Sequence, residues 1–110
     1  MIRGLLWVAV LLPLPAFAEA EVQTVTYSCE RGVEIPATYV NVADESVAVI
    51  HVEGRQIALQ ITQSASGARY AWPSDGSGYV WWTKGNVATL AWFDAEHSEE
   101  VMLYAECHSR

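Results

Sequence analysis

Short runs of alternating apolar and polar residues, divided by turn residues at intervals of about ten positions, fill the chain from residue 22 onward, and no stretch of it sustains a helical period. This pattern restricts the fold to the all-β class. In "RQIALQIT", Ile57, Leu59 and Ile61 share one face, with Gln56, Ala58, Gln60 and Thr62 on the other. Eight such runs are predicted, at 22–29, 33–41, 46–53, 55–62, 66–73, 78–83, 86–93 and 100–107. Glu53-Gly54 and Lys84-Gly85 are suited to tight hairpins, because glycine accepts a positive φ; 74–78 and 94–99 form longer loops. Pro36, which cannot donate to a ladder, is expected at a strand start or a bulge. With no helix to cover a sheet face, the strands must stack as two sheets or close on themselves. A small eight-stranded antiparallel β-barrel is the expected solution, since closure removes both exposed edges.

The first eighteen residues do not belong to this pattern. Arg3 supplies a positive start, Leu5 to Leu14 an apolar stretch interrupted by Pro13, and Ala16-Phe17-Ala18 a small-x-small cleavage site, so 1–18 is expected to be an export signal peptide. The apolar stretch is shorter than the roughly 20 residues of a membrane-spanning helix. No cysteine follows the cleavage site to receive a lipid, so the expectation is a soluble periplasmic protein without a membrane anchor, consisting of one domain over 19–110.

Cys29 and Cys107 are the only cysteines, one near each end of that domain, and an oxidising compartment favours their pairing. The alternation places Val25, Tyr27 and Cys29 on one face, and Val101, Leu103, Ala105 and Cys107 on another. Both cysteines then point inward, and one disulfide joins the first strand to the last. A metal or redox role lacks the close C-x-x-C spacing it needs.

Residues 19–110 carry five basic side chains against thirteen carboxylates. This balance argues against nucleic acid and anionic membranes, and in favour of a basic partner. Enzymatic signatures are missing as well: His51, His97 and His108 are scattered, and neither a nucleophile elbow nor a phosphate loop occurs. The acidic run from Asp94 to Glu100 lacks the D-x-D spacing of a calcium loop, so no metal or other cofactor is expected.

All four tryptophans of the domain, Trp72, Trp81, Trp82 and Trp92, lie between residues 64 and 93, and the only lysine, Lys84, lies among them. Tyr70, Trp72, Tyr79, Trp81 and Trp82 admit two readings: the interior of a barrel, or a platform of a carbohydrate-binding module. Two motifs in the same region resemble the bacterial inhibitors of c-type lysozyme. One is "SGARY", with Ser66, Gly67 and Tyr70; the other is "WWTKGNVATL", with Trp82, Thr83, Lys84, Gly85, Ala88 and Leu90. The resemblance implies an eight-stranded barrel that inhibits a c-type lysozyme. In that family the motif serine and lysine lie on loops that enter the lysozyme cleft and contact its two catalytic carboxylates. Carried over by motif, they are Ser66 and Lys84, with Ser64 as an alternative serine two positions earlier. The inhibitor itself then has no catalytic residue. Oligomeric state leaves no mark in the sequence.

Overall fold

The computed structural model describes residues 19–110 together with Gly4, Leu11 and Leu12; the expected signal segment falls largely outside the described residues. Eight antiparallel strands follow one another around a closed barrel: β1 (Ala20–Ser28), β2 (Glu34–Val42), β3 (Glu45–Val52), β4 (Arg55–Thr62), β5 (Ala68–Ala71), β6 (Gly78–Lys84), β7 (Val87–Asp94) and β8 (Glu99–Ser109). Two-residue turns join β2 to β3, β3 to β4 and β6 to β7. In the second of these, Glu53 and Gly54 both have positive φ, the conformation whose twist matches a two-residue hairpin.

The interior is built from alternate residues of the strands: Ile35 and Ala37 of β2, Ala48, Ile50 and Val52 of β3, Ile57 and Leu59 of β4, and Ala88 and Leu90 of β7. Trp81 lies fully buried among them, edge-on to Tyr27 at 5.1 Å between ring centres. Its indole Nε1–H donates to Tyr39 Oη at 2.9 Å, and the Tyr39 and Tyr27 hydroxyls hydrogen-bond each other at 2.8 Å. Each polar tip of this aromatic interior therefore has a partner, as burial demands. Burial pushes the Tyr39 phenol far above its ordinary range, so it remains a neutral hydroxyl that can both donate and accept.

Several sequence expectations are corrected. The strand expected at 66–73 contracts to β5, which leaves Ser66 and Gly67 in the preceding loop. Lys84 is not a turn residue: it ends β6 and pairs with Val87, so the turn is Gly85-Asn86. Ile61 shares its strand's inward parity but lies near the rim and is 39% exposed. Pro36 is neither a start nor a bulge but the third residue of a regular β2, opposite Thr26. Its missing donor is harmless there. The Thr26 carbonyl accepts from Arg110 N–H on the far side of β1, so Thr26 and Pro36 form a non-hydrogen-bonded pair. The Pro36 nitrogen then faces away from β1, where pairing with β3 begins only at Ala37.

The largest departure is in β8. Strict alternation would bury Val101, Leu103, Ala105 and Cys107, yet Tyr104 and Cys107 are the buried residues and Val101 and Ala105 are exposed. The register explains Tyr104 and Ala105: Ala88 faces Cys107, Leu90 faces Tyr104 and Ala91 faces Met102, so β8 carries an extra residue at each step, while Val101 faces Trp92 near the rim, where both are exposed. These are two bulges. They free backbone N–H groups from the ladder, and Glu30 takes them up: its carboxylate accepts from Ala105 N at 3.1 Å and Glu106 N at 2.6 Å. Glu30 belongs to a 3-10 turn, Glu30–Gly32, that also lays the Arg31 guanidinium over the Tyr104 ring.

Hydrogen bonds from Glu106 and Ala105 hold the Glu30 carboxyl below its ordinary value of 4.5. A depressed folded-state pKa contributes stability that is complete above the unfolded value and disappears as pH falls through the folded one. Glu30→Gln is therefore expected to lower the urea midpoint at pH 7, and its deficit against the wild type should shrink below pH 4.5. Urea titrations at several pH values check this; a deficit that stays constant into acid would disprove the linkage.

Candidate functional site

Antiparallel order brings the two sequence motifs together. The start of β5 and the end of β6 share one rim of the barrel, so the 63–67 loop and the Lys84 end of the β6–β7 hairpin are neighbours. The 29–33, 53–54, 72–77 and 95–98 connections form the opposite rim.

Trp82 joins the two motifs. Its indole Nε1–H donates to the Ser66 carbonyl at 2.9 Å, and the Lys84 ammonium lies 5.3 Å from its ring centre, within cation–π range. Gly67 completes the contact. It has φ +68°, and a Cβ added there would come 2.3 Å from Thr83 O and 2.6 Å from Lys84 Cγ. Only a residue without a side chain lets the loop backbone lie this close to β6. The Thr83 hydroxyl reaches back to the Ala68 carbonyl at 3.5 Å, at the limit of hydrogen-bonding distance.

The two candidate serines differ in their bonding. Ser64 Oγ donates to the Gly67 carbonyl at 2.9 Å and closes the loop on itself. Among the described residues nothing hydrogen-bonds to the Ser66 hydroxyl, and Ser66 is exposed. Lys84 is exposed too, and no carboxylate among the described residues pairs with it. The rim thus presents one cation and one open hydroxyl, on a backbone fixed from below by an indole.

The other predicted residues have different surroundings. Tyr70 lies inside the barrel, with its ring 5.7 Å from that of Tyr39, and burial raises its phenol pKa. Gly85 has φ +58° and makes the hairpin turn. Together with Tyr27, Tyr39 and Tyr70 it borders an open depression of about 360 Å³ in the mouth of the barrel beside Lys84. The five aromatics do not form a single platform: Trp81 and Tyr70 are internal, and Tyr79 packs edge-on to Trp92 and donates to Glu53 Oε2 at 2.7 Å. That hydrogen bond to Glu53 raises the Tyr79 phenol pKa. On the opposite rim Asp94, Glu96 and His97 approach one another. Their contacts are local, with His97 Nδ1 2.8 Å from Asp94 Oδ2 and Glu96 N–H donating to Asp94 Oδ1.

Residues 27–99, containing both motifs, all of β2 to β7 and one end of β1 and of β8, match the family model described as membrane-bound lysozyme-inhibitor of c-type lysozyme. The chain belongs to this family. Two relatives bear the name membrane-bound lysozyme inhibitor of C-type lysozyme. The one from Pseudomonas aeruginosa is 40% identical over 80 residues, 72% of this chain and 60% of the relative. The one from Cupriavidus necator is 41% identical over 70 residues, 64% of this chain and 53% of the relative. The chain therefore spans between half and two thirds of the length of either. Among solved structures, the crystal structure of Pseudomonas aeruginosa MliC in complex with hen egg white lysozyme superposes with a TM-score of 0.66 at 34% identity, covering 90% of this chain and 92% of that one. A periplasmic lysozyme inhibitor of C-type lysozyme from Salmonella typhimurium, PliC-St, shares the fold, with a TM-score of 0.67 at 23% identity over 82% of this chain and 99% of that one.

Within this MliC-family chain, the sequence motifs identify the rim but not what holds it. The Trp82 bond to a carbonyl sixteen residues away has no signature in spacing, because a backbone acceptor is present at every position. Gly67 is the exception. A glycine directly after a serine in a turn-rich stretch signals either a positive φ or a close approach, and here it serves both.

Proposed function

We propose that this chain inhibits a c-type lysozyme by presenting Lys84 and Ser66 to the two carboxyl groups of the lysozyme cleft. The observation that carries this reading is the pairing of an unneutralised lysine with an open serine hydroxyl on one rim, both tied to the Trp82 indole. A retaining glycosidase, of which lysozyme is the type case, needs one carboxyl protonated as general acid and another ionised, about 5 to 5.5 Å apart. An ammonium beside that pair favours ionisation of both and disables the acid, while the rim excludes sugar from the cleft. The serine hydroxyl donates to a carboxylate and fixes orientation. The family membership and the relative solved in complex with hen egg white lysozyme support this target class.

Charge acts at longer range. The domain's carboxylate excess attracts a basic lysozyme during encounter, so association is expected to slow as salt rises. Export through the 1–18 segment would put the inhibitor in the cell envelope, where a lysozyme acts. Titrating the disulfide-intact 19–110 protein into a cell-wall lysis assay with a c-type lysozyme tests the proposal. Lysis should fall to its floor near one inhibitor per enzyme; undiminished lysis across several c-type lysozymes at micromolar inhibitor would overturn it.

A further inference from the structure

The outer face of β5–β7 holds a second concave feature, and it shares no residue with the Ser66–Lys84 rim. The loop between Trp72 and Gly78 stands over the sheet and leaves a groove of about 410 Å³, bounded by Arg69, Trp72, Asp75, Val80 and Phe93. Its floor is apolar, and Val80 is only 3% exposed although it points out of the barrel. One reason is a strap. The Arg69 guanidinium reaches Glu100 Oε1 at 2.5 Å, and since Arg69 is on β5 and Glu100 on β8, this ion pair crosses the outside of β6 and β7. Thr62 Oγ1 holds the same guanidinium at 3.2 Å, so it is anchored on both sides.

Trp72 is the wall of this groove. It is 49% exposed, unlike the fully buried Trp81, and its position is set by its neighbours. A Cβ on Gly78 would come 2.6 Å from Trp72 Cβ, so the tryptophan sits directly on bare backbone. The loop is braced internally, with Ser74 N–H donating to the Trp72 carbonyl at 2.8 Å and Gly76 N–H to Ser74 Oγ at 3.2 Å. Ser77 Oγ accepts from Ala95 N–H at 2.9 Å and ties the loop to the next connection. An exposed indole held this firmly is a prepared stacking surface, with little ordering cost left for a ligand.

We propose that this groove binds a glycan built of N-acetylated hexopyranose units, as a function separate from lysozyme inhibition. A pyranose ring has an apolar C–H face that stacks on an indole and a rim of hydroxyls that seek hydrogen bonds. The acetamido group accounts for the remaining lining. Its N–H donates to the Asp75 carboxylate, its carbonyl accepts from the Arg69 guanidinium, and its methyl rests on Val80 and Phe93. The volume lies within the range of about 300 to 1,000 Å³ typical of small-ligand sites. A carboxylate in the lining and the acidity of the whole domain disfavour a phosphorylated or otherwise anionic ligand.

The test is an NMR titration of ¹⁵N-labelled 19–110 protein with N,N′,N″-triacetylchitotriose, with maltotriose as the sugar lacking acetamido groups. Binding should move the Trp72 indole N–H and the Asp75, Gly76 and Gly78 amides while leaving the Trp81 indole still. Trp72→Ala should weaken binding by about tenfold or more, a loss of about 1.4 kcal/mol, with Trp72→Phe intermediate. Maltotriose should bind at least about tenfold more weakly. The absence of shifts at about 10 mM chitotriose, shifts confined to the Ser66–Lys84 rim, or equal binding of maltotriose would each overturn the proposal. Lysis inhibition by Trp72→Ala should match the wild type, so this proposal and the lysozyme reading fail independently.

Discussion

Lys84→Ala is expected to fold normally and to lose affinity for a c-type lysozyme by about 2 to 5 kcal/mol, or about thirty-fold to several thousand-fold. The fold should be indifferent, because the side chain is exposed and its ammonium meets only the Trp82 ring among the described residues. Binding should not be, because the partner's carboxylates would remain desolvated without a cation. Much of the loss is the penalty for that unpaired charge. The effect should fall on dissociation, while association, set by the overall negative charge, keeps its salt dependence. Surface plasmon resonance at two ionic strengths separates the two rates. An unchanged dissociation rate would remove Lys84 from the mechanism and leave only steric obstruction by the rim. Lys84→Arg should recover part of the affinity, since it restores the charge on a broader, planar group.

Replacing both cysteines with serine is expected to cost about 4 kcal/mol of folding stability. Cys29 and Cys107 are bonded across 78 sequence positions, so the bridge closes nearly the whole domain into one loop and restricts the unfolded ensemble strongly. The native barrel depends on the bridge for a second reason. β1 and β8 pair only at Tyr27–Ser109 and Ser28–His108, whereas β1 and β2 pair over nine positions. The seam is therefore the weakest ladder, and the disulfide lies just beyond its end. For a domain of this size the loss corresponds to a fall of roughly 15 to 30 °C in Tm. Thermal unfolding followed by circular dichroism would show it. A shift below about 5 °C would mean that the β1–β8 ladder, with Glu30 beneath it, closes the barrel unaided.

The barrel itself was legible because seven strands keep the period of two and the connections use residues with an obvious backbone reason, such as Glu53-Gly54. β8 was not legible. The first of its two bulges switches which residues face inward and the second switches them back, and the group that takes up the freed N–H groups, Glu30, lies 75 positions away in sequence. A local pattern cannot report a distant carboxylate. For the rim, antiparallel order alone requires the start of one strand and the end of the next to meet, so the proximity of Ser66 to Lys84 follows from the strand order. The different bonding of Ser64 and Ser66 did not, because it depends on which hydroxyl the Gly67 carbonyl engages. Composition likewise showed a concentration of aromatics without showing their direction: Trp81 is buried inside, Trp82 bonds the Ser66 carbonyl and Trp72 is half exposed.

The strand count has a practical consequence. With eight antiparallel strands, the chain enters and leaves the barrel on the same side: β1 starts, and β8 ends, on the rim that carries Lys84, where Ser109 N–H donates to the Asn86 carbonyl. An affinity tag or fluorescent fusion at the C-terminus would emerge beside the hairpin proposed to dock, whereas β1 begins seven residues beyond its pairing with Ser109. Labels belong instead on the 53–54 turn or the 95–98 loop, the full height of the barrel away.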